Sequence, residues 1–170
     1  ELKESEKERM AFIEEFLKPI RELLDRDGLK YHIKSRTKSV YSIFQKMRKQ
    51  KVSFKGVYDI FALRIIIDCP VEREKALCWT VYSHVASLYT PNPERMRDWI
   101  SIPKSNGYES LHTTVSAGGG KWVEVQIRTE RMDEVAERDN LMSMIWKKTN
   151  SLFDANRKEK PLESGIRRTH

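Results

Sequence analysis

Cysteine is scarce in this 170-residue chain: there are two, Cys69 and Cys78, nine positions apart, with no C-x-x-C pair and no histidine at metal-ligand spacing. That excludes a disulfide framework and a zinc site, and both thiols are expected in the core. Long apolar runs are missing as well. The stretch around Ile65 to Ile67 in "ALRIIIDC" falls far short of the ~20 residues a bilayer span needs, so no membrane partner is expected. The opening "ELKESEKERM" is acidic and charged rather than a secretory signal, which points to a soluble, cytoplasmic domain. Seven glycines and six prolines without periodicity exclude collagen, and no internal repeat or low-complexity linker is present. A P-loop is also lacking, because Gly120-Lys121 is followed by Trp122 and has no upstream glycine at the required spacing.

What remains is an ordinary globular composition tilted basic. Lys plus Arg number 32 against 25 Asp plus Glu, a formal net charge of +7, with 34% charged and 39% hydrophobic residues. The length suits one domain with a real core. The cationic surplus implies an anionic partner but does not separate RNA, a membrane face and a polyphosphate nucleotide.

Apolar periodicity predicts a mixed α/β plan. Met10, Ile13, Phe16, Leu17, Ile20, Leu23 and Leu24 form the stripe of a helix over about 5–26, with Pro19 as a candidate kink. After the Asp27-Gly28 break, "LKYHIKSR" alternates as a half-buried strand. Val40, Ile43, Phe44 and Met47 recur with helical period to about Gln50, capped by Thr37 or Ser39. Ala62 to Ile67 reads as a central strand covered on both faces and closed by Pro70. A helix over Val71 to Tyr89 ends in the breaker "TPNPE". Strands over Ser110–Ser116 and Trp122–Arg128 flank Gly118-Gly119-Gly120, a hairpin signal. A last helix runs from Glu130 to about Asn150, the domain closes near 155, and a charged tail over 156–170 is expected to be loose or a linker.

Three polar clusters flank these strands. In "KSRTKSVYSI", Lys34, Arg36, Lys38 and Ser42 gather where a strand meets a helix, which suits either a polyphosphate cradle or a solvated basic patch. Asp59 precedes the central strand, and Glu124 sits mid-strand, where alternation puts Glu124, Gln126 and Arg128 opposite Val123, Val125 and Ile127. Were the two strands neighbours, the two carboxylates would converge on one Mg2+; the alternative is an ion pair of Glu124 with Arg64 or Arg128. The third cluster, "RMRDWISIPKSNGYESLHTTV", brings Arg95, Arg97, Lys104, Asn106, Tyr108 and His112 to one turn, enough to hold phosphates, read a base edge and stack a base.

Taken in order, these clusters resemble the synthetase domain of the RelA/SpoT homologue family, which makes the alarmones ppGpp and pppGpp. The resemblance rests on "SRTKSVYSI" (G-R-x-K-x-x-Y-S-I), "VYDIFALRIII" (Y-D-x-x-A-x-R), "RDWISIPKSNGYESLHTTV" (K-D-Y-I-x-x-P-K-x-N-G-Y-x-S-L-H-T) and "VEVQIRTERMDEVAE" (E-x-Q-I-R-T-x-x-M-x-x-x-A-E), over about residues 29 to 138. It implies a nucleotidyltransferase-like fold, a central mixed sheet flanked by helices, and transfer of pyrophosphate from ATP to the 3′-hydroxyl of GDP or GTP with Mg2+. Carried over motif by motif, Arg36, Lys38, Ser42 and Arg64 would hold ATP, and Arg73 would pack on its adenine. Asp59 and Glu124 would bind Mg2+, with Glu124 also the base for the 3′-hydroxyl. Lys104, Asn106, Tyr108, His112 and Ala136 would bind the guanine nucleotide, with Tyr108 stacked on the base. The basic Arg95-Met96-Arg97-Asp98 matches bifunctional members and implies a preference for GDP.

Two departures stand out. Ser35 replaces the first glycine of G-R-x-K, and "RDNLMSMIWKK" after Glu137 stands where the family carries G-x-A-A-H-W-x-Y-K, losing its histidine. The family's alarmone hydrolysis resides in a separate domain with a His-Asp metal site. None of His32, His84, His112 and His170 precedes an aspartate, so that activity is not expected in this piece. Further domains of a longer chain, and the ribosome through them, are expected partners. The alternative is a catalytically silent regulatory domain that binds guanine nucleotides.

Overall fold

The computed structural model describes residues 2–37, 48–49 and 61–158. The helix expected up to Gln50 lies almost wholly outside these residues, as do Lys38, Ser42 and Asp59. Helix α1 (Leu2–Arg26) continues through Pro19 and buries Ile13, Phe16, Leu17, Ile20 and Leu24. Met10, read as part of that stripe, is 69% exposed and stands one turn before the first buried residue, Ile13. Gly28, at φ +68°, ends the helix, and the amide of Leu29 closes on the carbonyl of Leu24 at 3.1 Å.

Among the described residues the chain then builds one six-stranded sheet: β1 (Lys30–Thr37), β2 (Phe61–Asp68), β3 (Thr90–Pro91), β4 (Arg97–Asp98), β5 (Leu111–Ser116) and β6 (Trp122–Thr129). Their order is β1-β2-β6-β5-β3, with β4 also on β5. β2 and β6 run parallel and every other pairing is antiparallel, so the sheet is mixed, as expected. The parallel pair is reached by a crossover through α2 (Glu74–Leu88), which a parallel connection requires. Pro70 first opens a 3-10 turn over Val71–Arg73, so the helix starts three residues later than the periodicity implied. Strands β3 and β4, two residues each, fall inside segments read as turn and loop.

The β5–β6 hairpin turns on Gly118, Gly119 and Gly120 at φ +84°, +60° and +73°, a run that side-chain-bearing residues would strain. One face of the sheet carries Leu63, Ile65, Ile67, Val123, Val125, Ile127, Leu111 and Val115, each at most 1% exposed, beneath α1 and α2. Each such aliphatic side chain contributes roughly 1.5–3 kcal/mol by leaving water. Cys78 lies in this core, as expected, and Cys69 is half-buried.

Helix α3 (Glu130–Lys158) is longer than expected, since no glycine or proline interrupts the chain before Pro161. Its first two turns bury Asp133 and Ala136 over the other sheet face, while Met132 joins the core of the covered face. Beyond them Leu141, Met142, Met144, Ile145, Trp146 and Leu152 are 52–68% exposed. The central strand is therefore not covered on both faces throughout: Ile66 is fully buried, while Ala62 and Arg64 are only half-buried, because α3 reaches over the C-terminal half of β2 alone.

Candidate active site on the polar face

Strand register lays out the second face in rows. Arg36, Ala62, Glu124 and Thr114 are successive partners across β1, β2, β6 and β5. Two residues along, Lys34, Arg64, Gln126, His112 and Arg97 form the next row, which extends to β4. The period of two that buries valine and isoleucine on one side puts charge and amides on this one. At its β4–β5 side is a cleft of about 330 Å³ lined by Arg95, Arg97, His112, Thr114 and Glu124.

Asp133, from the first turn of α3, is the anionic hub. Its carboxylate takes Lys34 Nζ at 3.0 Å, Arg64 at 3.1 Å and Arg128 at 3.4 Å, and Arg64 also reaches Glu137 at 2.8 Å. Neither Arg64 nor Arg128 pairs with Glu124, so the ion pair weighed from sequence does not form. Instead Gln126 Nε2 donates to Glu124 Oε1 at 2.8 Å, and His112 Nδ1 stands 3.7 Å from the same oxygen. Burial pushes the His112 imidazole down to about 4; Arg128, Lys104 and Arg64 act in the same direction and Glu124 opposes them. His112 is thus neutral near neutral pH.

The loop before β5 is closed locally. The Lys104 amide donates to the Tyr108 carbonyl at 3.1 Å, Asn106 Oδ1 accepts from the Tyr108 amide at 3.1 Å, and Gly107 takes φ +83°. Asn106 is exposed and uses its carbonyl oxygen within the turn, leaving the amide nitrogen. Lys104 is exposed, with Nζ 4.7 Å from the Trp99 ring centroid and 5.1 Å from that of Tyr108. The Tyr108 ring is half-buried with its hydroxyl inward, 2.7 Å from His112 Nε2 and 2.8 Å from an Arg128 nitrogen. Asp98 accepts from the amides of Ile100 and Ser101, at 3.1 and 2.9 Å, and pins the preceding turn.

Of the residues singled out from sequence, Glu124, Arg64, Tyr108 and His112 are brought to one face, with Lys104 and Asn106 on the adjoining loop and position 36 in the row of Glu124. Ala136 is 5% exposed, under the first turns of α3. Arg73 is not brought to them. It is exposed and follows the far end of β2, about 20 Å along the strand from Ala62 at ~3.3 Å per residue. Asp133 and Gln126 were not singled out as site residues. Asp133 gave no signal, since an acid in a helix's first turn is ordinary, whereas Gln126 and Arg128 were marked by the alternation alone.

The family model described as "Region found in RelA / SpoT proteins" matches residues 35–151. The guanosine-3′,5′-bis(diphosphate) 3′-pyrophosphohydrolase of Aquifex aeolicus is 39% identical over 91% of this chain and 22% of its own length. The GTP pyrophosphokinase of Escherichia coli is 38% identical over 80% of this chain and 18% of its own. The chain thus spans about a fifth of these relatives. Two solved structures from Bacillus subtilis are each 25% identical. Small alarmone synthetase 1, bound to its product pppGpp, has a TM-score of 0.61 and is matched over 82% of this chain and 77% of its own. Small alarmone synthetase 2 has a TM-score of 0.63, over 89% and 83%.

Proposed function

Because the chain belongs to the RelA/SpoT family, we propose that it transfers pyrophosphate from ATP to the 3′-hydroxyl of GDP or GTP, yielding AMP and ppGpp or pppGpp. The names of its relatives divide between hydrolase and pyrophosphokinase. The observation that carries the synthetase reading is coverage: the chain matches a fifth of the long relatives but 77% and 83% of the two solved small alarmone synthetases.

The polar face suits that chemistry. Pyrophosphoryl transfer asks the protein for in-line positioning and for neutralisation of charge on phosphate oxygens, with little covalent help. Arg64, with Arg36, Lys38 and Ser42, holds the ATP phosphates. Tyr108 stacks on guanine, Asn106 offers its free amide nitrogen to the base edge, and Lys104 and His112 face the acceptor's phosphates. Glu124 accepts the proton of the 3′-hydroxyl. The neutral His112 adds a hydrogen-bonding group beside it without adding charge. Glu124 lines the cleft as a carboxylate with room for phosphate oxygens around it, a donor set that suits Mg2+, and Asp59 is the second proposed ligand. When bound, Mg2+ would neutralise phosphate charge. Arg95 and Arg97 stand on the cleft wall, and the preference for GDP rests on the resemblance of their motif to that of bifunctional members.

A second reading, a domain that binds guanine nucleotides without transfer, is favoured by the departure after Glu137, which falls on the exposed half of α3. Incubation with ATP, GDP and Mg2+, resolved by anion exchange, separates the two. AMP and ppGpp are expected, with the rate falling on the order of 10²- to 10⁴-fold in Glu124→Gln while GDP still binds. Bound GDP without AMP gives the second reading; normal turnover by Glu124→Gln removes its role as base.

A further inference from the structure

The hydrogen bonds beside the cleft run in two branches from Arg128, a residue to which no role has been assigned. Its side chain is 2% exposed. One terminal nitrogen lies 2.8 Å from the Tyr108 hydroxyl and 2.7 Å from Gln126 Oε1; the other lies 3.4 Å from Asp133 Oδ1. A guanidinium only donates, which fixes the sense of both branches. Gln126 must turn its oxygen to Arg128, and so presents its NH2 to Glu124 Oε1. Tyr108 accepts from Arg128 and faces His112 Nε2, whose other ring nitrogen lies 3.7 Å from that same carboxylate oxygen. The two branches leave one guanidinium: the Gln126 branch is hydrogen-bonded to Glu124, and the Tyr108 branch ends at the imidazole beside it.

We propose that Arg128 is a positioning residue: from a single buried fork it sets the plane of the Tyr108 ring and, through Gln126, the aim of the Glu124 carboxylate. This rests on the reading of Tyr108 as the guanine platform and of Glu124 as the base. Lysine would keep the charge but has one nitrogen, and so could not serve Tyr108 and Gln126 while also reaching Asp133 from a second arm. Because Asp133 holds the other nitrogen, the first turn of α3 is tied to the same fork, which makes helix and base-binding loop one unit.

The test is a coupling cycle on the whole chain, read first as equilibrium binding of GDP and of a non-hydrolysable ATP analogue, so that it does not depend on turnover. Arg128→Lys is expected to weaken GDP about ten-fold, as for a lost hydrogen bond to a charged group, and to change the ATP analogue by less than about two-fold. In a Tyr108→Phe background the same substitution should cost under about two-fold, because the acceptor is already gone. Gln126→Leu, which cuts the other branch, should lower the transfer rate about ten-fold while GDP affinity stays within about two-fold. Arg128→Met gives the same pattern where it folds, and Arg128→Lys carries the test where it does not. Equal weakening of both nucleotides, or a full ten-fold effect surviving in Tyr108→Phe, overturns the proposal. Should Tyr108→Ala leave GDP binding intact, the functional reading itself is lost. Should Tyr108→Ala weaken it while Arg128→Lys does nothing, only the role of Arg128 is.

Discussion

The two faces of the sheet are built from the same strands yet held by different physics. On the covered face, Leu63, Ile65, Val125 and Ile127 are excluded from water, and the stabilisation scales with area. On the polar face, Arg64, Gln126 and Arg128 occupy the intervening positions, and order comes from directed bonds to Asp133, Tyr108 and Glu124. A buried guanidinium such as Arg128 costs free energy unless its donors find acceptors, so this face is conditional on geometry in a way the other is not. Affinity for anions is thereby uncoupled from the core: charges can change on one side without unpacking the other.

A core truncation should break that separation if anything does. Ile65→Ala, at a position with no exposure, is expected to lower the unfolding free energy by about 3 kcal/mol in denaturant titration, with GDP affinity of the folded protein unchanged. A parallel loss of affinity would mean that the faces are not independent. A smaller effect is expected at the hub. Asp133→Asn leaves Lys34, Arg64 and Arg128 without their shared carboxylate. Breaking a buried pair costs 3–5 kcal/mol, but Lys34 is about half exposed, which reduces the figure to about 2 kcal/mol. The freed cations should at the same time tighten binding of the ATP analogue at low salt, several-fold and screened by added salt. Loss of stability without that gain would make Asp133 a purely structural anchor.

Much of this division was legible in the sequence, and the reasons differ by element. In β6 the alternation of "WVEVQIRT" names both faces outright, because a strand's period is two and its apolar set is unbroken. The stripe of α1 located its buried side for the same reason at period 3.6. The continuous "ALRIIID" misled, since Ala62 and Arg64 are compatible with a strand covered on both sides, and which half α3 covers is a tertiary fact. β3 and β4 are too short to carry any period, and their pairing is decided by β5. The exposed half of α3 has no breaker to end it and no neighbour among the described residues to cover it. The site showed the same limit: residue types marked Glu124, Tyr108 and His112, but nothing local announced that Asp133 would draw three cations together.

The mildest perturbation, pH, tests whether the polar face depends on a neutral ring at its centre. His112 has a folded value near 4 against 6.5 when unfolded, with burial as the main cause. Below 6.5 the unfolded chain takes up a proton that the folded chain refuses until about 4, so its contribution is complete above 6.5 and is lost as pH falls through that window. The loss is at most about 1.4 kcal/mol per pH unit, and about 0.8 kcal/mol between roughly pH 7.5 and pH 6. Measured in metal-free buffer, the unfolding free energy of the native chain should fall by that much more than that of His112→Asn over the same interval. Identical pH dependence in the two proteins would show that His112 takes up its proton as readily in the fold as in the unfolded chain. Below about pH 6.5 the group beside Glu124 would then be a cation where a neutral imidazole is now assigned.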